Sequence, residues 1–537
     1  MRLLRNLGVV SGLTLASRVF GFLREILTAK YLGASGVADT FFQALTIPNT
    51  FRRILAEGAF NSAFVPLYAR ELENADQAEA DRFASEALSV LLTVTLSVVL
   101  IFQIAAPWLA YVFFPGSIGD PDAMTFGALL LQITMPYLFT MAFTALIGGA
   151  LNTHGRFAAA AGAPMLFNVV LILILALDFA ENARLALWLS IGVTTSGVLQ
   201  AVLLWMVARS SGLKITLRVP RLTRRVKRLI ALGVPGALAA GATQINVLVT
   251  SSIAMLEVGA RSYLNYAERL YQLPLGVIGI AMGVALLPNL TRRVRSGDEA
   301  GGQFAMNRAI ELSLALTLPA AVAFLAAPES LVEGLYERGA FTAQSTANTA
   351  LALCAYAVGL PAFVLVKVLA PGFFAREETR TPMMFALASV VLNLVLALIL
   401  FFGGLGFMGL AIATSAAGWL NALLLGFTLL RQGHLVFDDR LKHRLPRLAL
   451  ASILMGVSVF ALASILPELT ATLTGWVGVD GVSILGLLLL VASGGGIYAI
   501  ACVSTGALRI SEIMEALRPP KALPPAVTEQ SQERPDA

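Results

Sequence analysis

Apolar runs of roughly 18 or more residues recur along the whole chain, and nothing else in the sequence constrains its fold as tightly. Each run is long enough to cross a bilayer as a helix. The composition agrees: 57% of the 537 residues are hydrophobic and only 13% are charged. A soluble domain usually carries about 25% charged residues. The sequence therefore predicts an all-α polytopic membrane protein with fourteen transmembrane helices. They are expected near 6–29, 39–68, 84–113, 123–151, 159–178, 185–208, 228–256, 262–290, 304–327, 343–371, 381–402, 406–431, 447–466 and 482–508. No small-residue cleavage site follows the first run, and another span comes next, so it reads as a retained helix and not a signal peptide.

The basic residues give the orientation. With the N-terminus inside, the inner segments hold 28 lysines and arginines, eight of them in the 209–228 loop. The outer loops hold 4: Lys30, Arg184, Arg261 and Arg338. Both termini are thus expected in the cytoplasm, with the basic loops facing an anionic leaflet. The net charge of +6 mainly reflects this topology, and no soluble basic domain exists that would bind nucleic acid.

The chain also repeats itself. Pro164–Phe167 reads PMLF and Pro382–Phe385 reads PMMF, an offset of 218. Pro66 matches Pro288 at 222, and Pro48 matches Pro274 at 226. Similar offsets predict two six-helix lobes, 1–208 and 228–431, joined by a basic cytoplasmic linker, 209–227. An even helix number makes the repeat parallel, as in rocking-bundle transporters. Two further spans follow within 432–508, and 509–537 is a polar, proline-rich cytoplasmic tail expected to be mostly disordered.

Six basic residues remain inside spans: Arg18, Arg24, Arg52, Arg53, Arg269 and Lys367. A central arginine opposes insertion by about 2.5–3.5 kcal/mol, so such residues need partners or a wet cavity. Arg53 and Glu57 are spaced to pair on one helix face. Glu25 is next to Arg24, and Glu268 next to Arg269; neighbours in sequence point in different directions, so neither acid is expected to face its neighbour. Arg18, Arg24, Arg52 and Arg269 are left as a candidate anion-binding set. A bend at Gly21 would bring Arg18 and Arg24 together, and Asp39 stands where it would gate or orient the arginines. Arginine suits bidentate phosphate recognition, and several in one cavity suit a diphosphate. With two extra helices beside the lobes, the pattern fits an amphiphile, its anionic head in the cavity and its lipid tail in an apolar groove.

Other chemistry finds little support. Cys354 and Cys502 lie in apolar runs, and His154, His434 and His443 lack ligand-like spacing, so no metal or cofactor is expected. There is no GxxxxGK loop to power transport and no nucleophile–base constellation, so the chain is not expected to be an enzyme.

Three stretches, SRVFGFLREI, ADTFFQALTIPNTFRRILAEGAFNSAFVPLYAREL and NYAERLYQLPLGVIGIAMGVALLPNLTR, resemble the lipid II flippase family MurJ (also called MviN) of the MOP transporter superfamily. The resemblance runs over spans one to fourteen. It implies alternating-access transfer of undecaprenyl-diphosphate disaccharide-pentapeptide from the inner to the outer leaflet of the bacterial inner membrane, for peptidoglycan synthesis. It implies a lipid-tail groove at the last two helices, and lipid II, membrane lipids and cell-wall synthesis proteins as partners. By motif it marks Ser17, Arg18, Arg24, Asp39, Arg52, Arg53, Glu57, Glu268 and Arg269. Arg18, Arg24, Arg52 and Arg269 would bind the diphosphate headgroup; Ser17, Glu25, Asp39, Arg53, Glu57 and Glu268 would gate or support.

One departure stands out. Some relatives hold sodium with carboxylates in spans seven and eleven, whereas here Gln244, Asn246, Asn393 and Thr414 are neutral. The alternatives are a flippase for another undecaprenyl-diphosphate oligosaccharide and a multidrug/cation antiporter. The antiporter would want unpaired intramembrane acids, and the unpaired charges here are mostly basic. A non-transport scaffold for cell-wall enzymes would leave the buried arginines without a purpose.

Overall fold

The computed structural model describes residues 2–55, 59–74, 76–177, 181–281, 286–471 and 474–507. Among these it is helical throughout, without a strand. The order is α1 (Arg2–Leu32), α2 (Gly36–Leu55), α3 (Ala59–Asn74), α4 (Gln77–Phe113), α5 (Pro121–Thr134), α6 (Pro136–Thr153), α7 (Phe157–Leu175), α8 (Asn182–Ser210) and α9 (Arg224–Ala254). Then come α10 (Ala260–Ala281), α11 (Leu287–Arg295), α12 (Glu299–Ala326), α13 (Pro328–Tyr336), α14 (Ala343–Phe374), α15 (Arg380–Leu400), α16 (Gly406–Arg431), α17 (Asp439–Ala471) and α18 (Thr474–Ser504).

Polar caps start many of these helices. Asp76, Asp120, Thr223, Asp298 and Thr342 each accept a hydrogen bond from a backbone N–H in the first turn, and Pro121 follows Asp120 at the first helical position. Nine helical stretches among the described residues are long and apolar enough to cross a membrane; α9, bent by 48° near its middle, makes a tenth. The chain is a multi-pass membrane protein. The helices α1, α2 and α10 fall outside this set, and they carry most of the intramembrane charges.

The expected 39–68 span is described as α2 up to Leu55 and α3 from Ala59, and residues 56–58 between them lie outside the described residues. The expected 123–151 span is one apolar stretch, Pro121–Thr153, in which α6 takes over from α5 at Pro136, a residue that cannot donate a helical hydrogen bond. The expected 262–290 span is described as α10 up to Ala281 and α11 from Leu287, and residues 282–285 lie outside the described residues. The short helix α13 had no counterpart in the sequence reading. The 509–537 tail lies outside the described residues.

The largest apolar core joins the C-terminal end of α1 to α2, α5, α6, α10, α14 and α16. Its centre is Tyr266, fully buried, with ring centroids 5.5 Å from Phe42, 5.1 Å from Tyr336 and 5.2 Å from Phe341. Such aromatic pairs add about 0.5–1.5 kcal/mol each beyond area burial. Smaller cores seat α17 and α18 against α12 and α13.

A buried charge cluster fixes α17 to α12. Glu311 accepts from Arg308, from Arg440 at 3.1 Å and from Arg444 at 2.7 Å, while Arg308 also reaches Asp438. The Glu311 carboxylate is thus the shared anion for three guanidinium groups. Glu311→Ala would leave them without it, and breaking a buried pair destabilises by about 3–5 kcal/mol. We expect this variant to melt markedly lower in detergent, with α17 and α18 lost from α12 first; an unchanged Tm would refute the role.

Candidate functional site: a cation-lined cavity

A cavity of about 870 Å³ opens between α1, α2, α6, α7, α9, α10 and α14. Its described lining carries seven cationic side chains, Arg18, Arg24, Arg52, Arg53, Arg261, Arg269 and Lys367, against two acids, Glu25 and Glu268. Amides from Asn49, Asn61, Asn168, Gln200, Gln244, Asn265 and Gln272 complete its polar surface.

Glu25 organises the centre. It is 3% exposed, and one carboxylate oxygen pairs with both Arg24 and Arg269, the latter at 3.2 Å. This corrects the expectation that Arg24 and Glu25 do not meet and that Arg24 and Arg269 lack an acid. Successive helix positions diverge by about 100°, but the long arginine stem lets the guanidinium curl back to its neighbour. The Arg24 guanidinium also lies 5.0 Å from the centroid of Phe167 in α7, a cation–π contact. The pair Glu25–Arg269 crosses from α1 to α10.

The other candidates take different places. Arg18 lies against Gly276 of α10, where a Cβ would come within 2.5 Å of Nη1. Around Gly21, α1 is one continuous helix, and Gly21 faces Asn168, whose amide donates to the Ser17 carbonyl at 3.1 Å. Arg52 donates to Asn49 at 3.2 Å. Glu268 accepts from Gln272 at 2.6 Å and, as expected, is not paired with Arg269. Ser17 and Arg53 line the same cavity, whereas Glu57 lies outside the described residues.

Asp39 stands apart from the arginine cluster. It is 2% exposed and caps the start of α10, accepting from Gly259 N at 2.5 Å, Ser262 N at 2.8 Å and Ser262 Oγ at 2.6 Å. A carboxylate at a helix N-terminus satisfies orphan N–H groups and the helix dipole together. Nearby, Gln43 donates to Ser252 at 3.1 Å, and the Tyr266 hydroxyl donates to the Gly33 carbonyl at 3.0 Å. Ala340 N donates to the Lys30 carbonyl at 2.7 Å. Gly33 and Gly339, both at positive φ, permit this approach: a Cβ on Gly33 would lie 2.4 Å from the Ala340 oxygen, and one on Gly339 2.4 Å from the Lys30 oxygen. Together these contacts tie the α1–α2 turn to the start of α10 and to the segment before α14.

The sequence reading missed Arg261, which it placed in an outer loop. Gly259, at φ 84, turns the chain so that α10 starts at Ala260, and Arg261 becomes a buried cavity residue donating to Thr46 Oγ1 at 2.9 Å. Its signal was present: Arg261, Asn265, Glu268 and Gln272 are spaced by four, three and four, a polar stripe on one helix face. Lys367, counted as an intramembrane cation, joins the lining from α14. Of the neutral residues in spans seven, eleven and twelve, Gln244 lines the cavity and Asn393 donates to Thr414 at 3.3 Å.

A cavity of this charge, lined by membrane helices, defines a membrane transporter built to receive negative charge. The comparisons with known proteins make the class specific. Residues 28–475 match the model of a family described as lipid II flippase MurJ. A probable lipid II flippase MurJ of Rhizobium meliloti (strain 1021) is 42% identical, over 96% of this chain and 97% of its own. One from Rhizobium tropici is 41% identical over 98% of both chains. Among solved structures, a lipid II flippase MurJ in an inward closed conformation shares the fold with a TM-score of 0.74 at 24% identity, covering 92% of this chain and 98% of that one. An inward-facing multidrug resistance MATE transporter of the MOP superfamily follows at a TM-score of 0.65 and 18% identity, covering 79% and 97%. The chain belongs to the lipid II flippase MurJ family.

Proposed function

We propose that this protein moves lipid II, the undecaprenyl-diphosphate disaccharide-pentapeptide, from the inner to the outer leaflet of the bacterial cytoplasmic membrane by alternating access. The observation that carries the reading is the surplus of cations around one cavity, with Glu25 as the shared counter-charge for Arg24 and Arg269. A diphosphate entering the cavity competes with Glu25 for those guanidinium groups. It thereby links α1 to α10 through the substrate instead of through the protein's own acid.

In this reading fourteen helices form two parallel six-helix lobes, 1–208 and 228–431, with both termini inside. The α1–α2 end then faces outward and is closed in this state, and opening the Asp39 latch releases the headgroup. The α17–α18 pair supplies an apolar groove for the polyprenyl tail. The direct experiment is depletion of the protein in growing cells, followed by measurement of lipid II accessible on the outer face. Unchanged exposure removes the proposal.

Membrane potential is expected to drive export more than sodium, because Gln244, Asn246, Asn393 and Thr414 supply no carboxylate. An anion moving outward from a negative interior gains about 2.3 kcal/mol per charge per 100 mV. The gain requires the arginines to stay near mid-depth while the gates rock around them, or to reset after release. In vesicles with a clamped diffusion potential, flipping should rise with an inside-negative potential. Sodium-dependent flipping that ignores the potential would overturn this.

A further inference from the structure

The segment between α8 and α9 is not a free linker. Lys214 N donates to Asp81 at 2.8 Å, Thr216 N to Ser85 Oγ at 3.0 Å and Arg218 N to Ser89 Oγ at 2.8 Å. Alternate N–H groups of an extended strand thus meet acceptors spaced four residues apart on α4. The two periods match: two extended residues advance about 6.7 Å and four helical residues about 6 Å. The strap therefore climbs α4 by roughly 12 Å from Asp81 to Ser89. It then returns, with Thr223 donating to Glu86 at 2.8 Å and Arg225 pairing with Glu79 at 2.8 Å.

The strap reads LKITLRVPRL over 213–222, an apolar–polar alternation. Only the first half of its apolar row is covered by protein. Leu213 and Ile215 are buried, while Leu217, Val219 and Leu222 are 69%, 74% and 60% exposed. Lys214, Arg218 and Arg221 are also exposed and make no ion pair among the described residues. Beyond Ser89, α4 itself turns exposed apolar side chains outward from Val94.

We propose that residues 213–223 are an interfacial anchor, whose Leu217, Val219 and Leu222 insert into the inner leaflet while Arg218 and Arg221 hold anionic phospholipid phosphates. Charge complementarity selects the occupant: a basic, half-apolar edge at the start of a spanning helix matches an anionic leaflet. The anchor gives the linker a fixed seat on α4 and on the bilayer, so that movement of α9 begins only after Thr223. The inference rests on the orientation proposed above, but its test does not depend on lipid II.

The test places a bimane fluorophore at Val219→Cys in the full chain carrying Cys354→Ala and Cys502→Ala, with Thr216→Cys as the control on the polar row. The protein is reconstituted in vesicles of phosphatidylglycerol and phosphatidylcholine. The Val219 probe should be quenched by headgroup spin-labelled phosphatidylglycerol more than by the phosphatidylcholine analogue, and little by aqueous iodide. The Thr216 probe should respond to iodide. Replacing Arg218 or Arg221 by Gln should reduce the preference for phosphatidylglycerol by roughly fivefold each. Equal quenching by both lipids would overturn headgroup recognition. Quenching of Val219 by iodide alone would overturn insertion and point to a cytoplasmic or protein-covered strap. Lipid II export measured on the same vesicles reports separately on the flippase reading.

Discussion

An Arg24→Ala chain is expected to insert normally and to lose most of its ability to move a lipid-linked diphosphate. The loss has two parts. The cavity forfeits a guanidinium that would contact the substrate, and a hydrogen bond to a charged group contributes roughly 1.5–3 kcal/mol, about ten- to a hundredfold in binding. Glu25 also loses one of its two cationic partners while remaining buried, so Arg269 is held more tightly by the protein's own acid and less available to a ligand. Arg24→Lys should rescue only partly, because an ammonium lacks the planar fork and stacks less well on Phe167. Growth complementation and outer-face lipid II exposure, with membrane insertion checked in parallel, decide the matter. Full activity of the Arg24→Ala, Arg52→Ala double variant would sink the assignment.

The second large effect is expected at Asp39. Its carboxylate accepts three hydrogen bonds from the start of α10. Asparagine keeps one acceptor oxygen and turns an NH₂ group toward a donor, so Asp39→Asn weakens the latch on both counts. Loss of even one charge-assisted bond, roughly 1.5–3 kcal/mol, moves the balance between sealed and open forms by about ten- to a hundredfold. A cysteine at Thr28, buried in the cavity lining, reports the change. In a chain with Cys354→Ala and Cys502→Ala, an impermeant thiol reagent added outside should label Thr28→Cys at least tenfold faster when Asp39→Asn is present. An unchanged labelling rate would show that the latch does not control access.

Much of this site was legible in the sequence because charge inside a membrane span is expensive and hence informative. Arg18, Arg24, Arg52, Arg53 and Arg269 were isolated that way, and all line one cavity. What escaped depended on where long side chains finally reach. Helix geometry separates Arg24 from Glu25, yet the flexible arginine stem closes the gap. Arg261 sat close enough to a span boundary to be counted as a loop cation until the Gly259 turn moved it inside. The strap on α4 was written in the alternation of 213–219, but a loop's basic charge was read for topology and its apolar row was passed over.

The two glycines at the α1–α2 end have a consequence for cellular energetics. A carrier whose central chamber holds about 870 Å³ and a surplus of positive charge would, if open on both sides, conduct chloride and phosphate along their gradients. At Gly33 and Gly339 main chain meets main chain, with Ala340 N donating to the Lys30 carbonyl at 2.7 Å, beside the hydrogen bonds of Asp39. In this reading the insulation of the membrane against anion leak rests on main-chain contact as well as on the Asp39 hydrogen bonds. A methyl group at either glycine would press on a backbone oxygen, and a carrier loosened there would let anions drain the membrane potential.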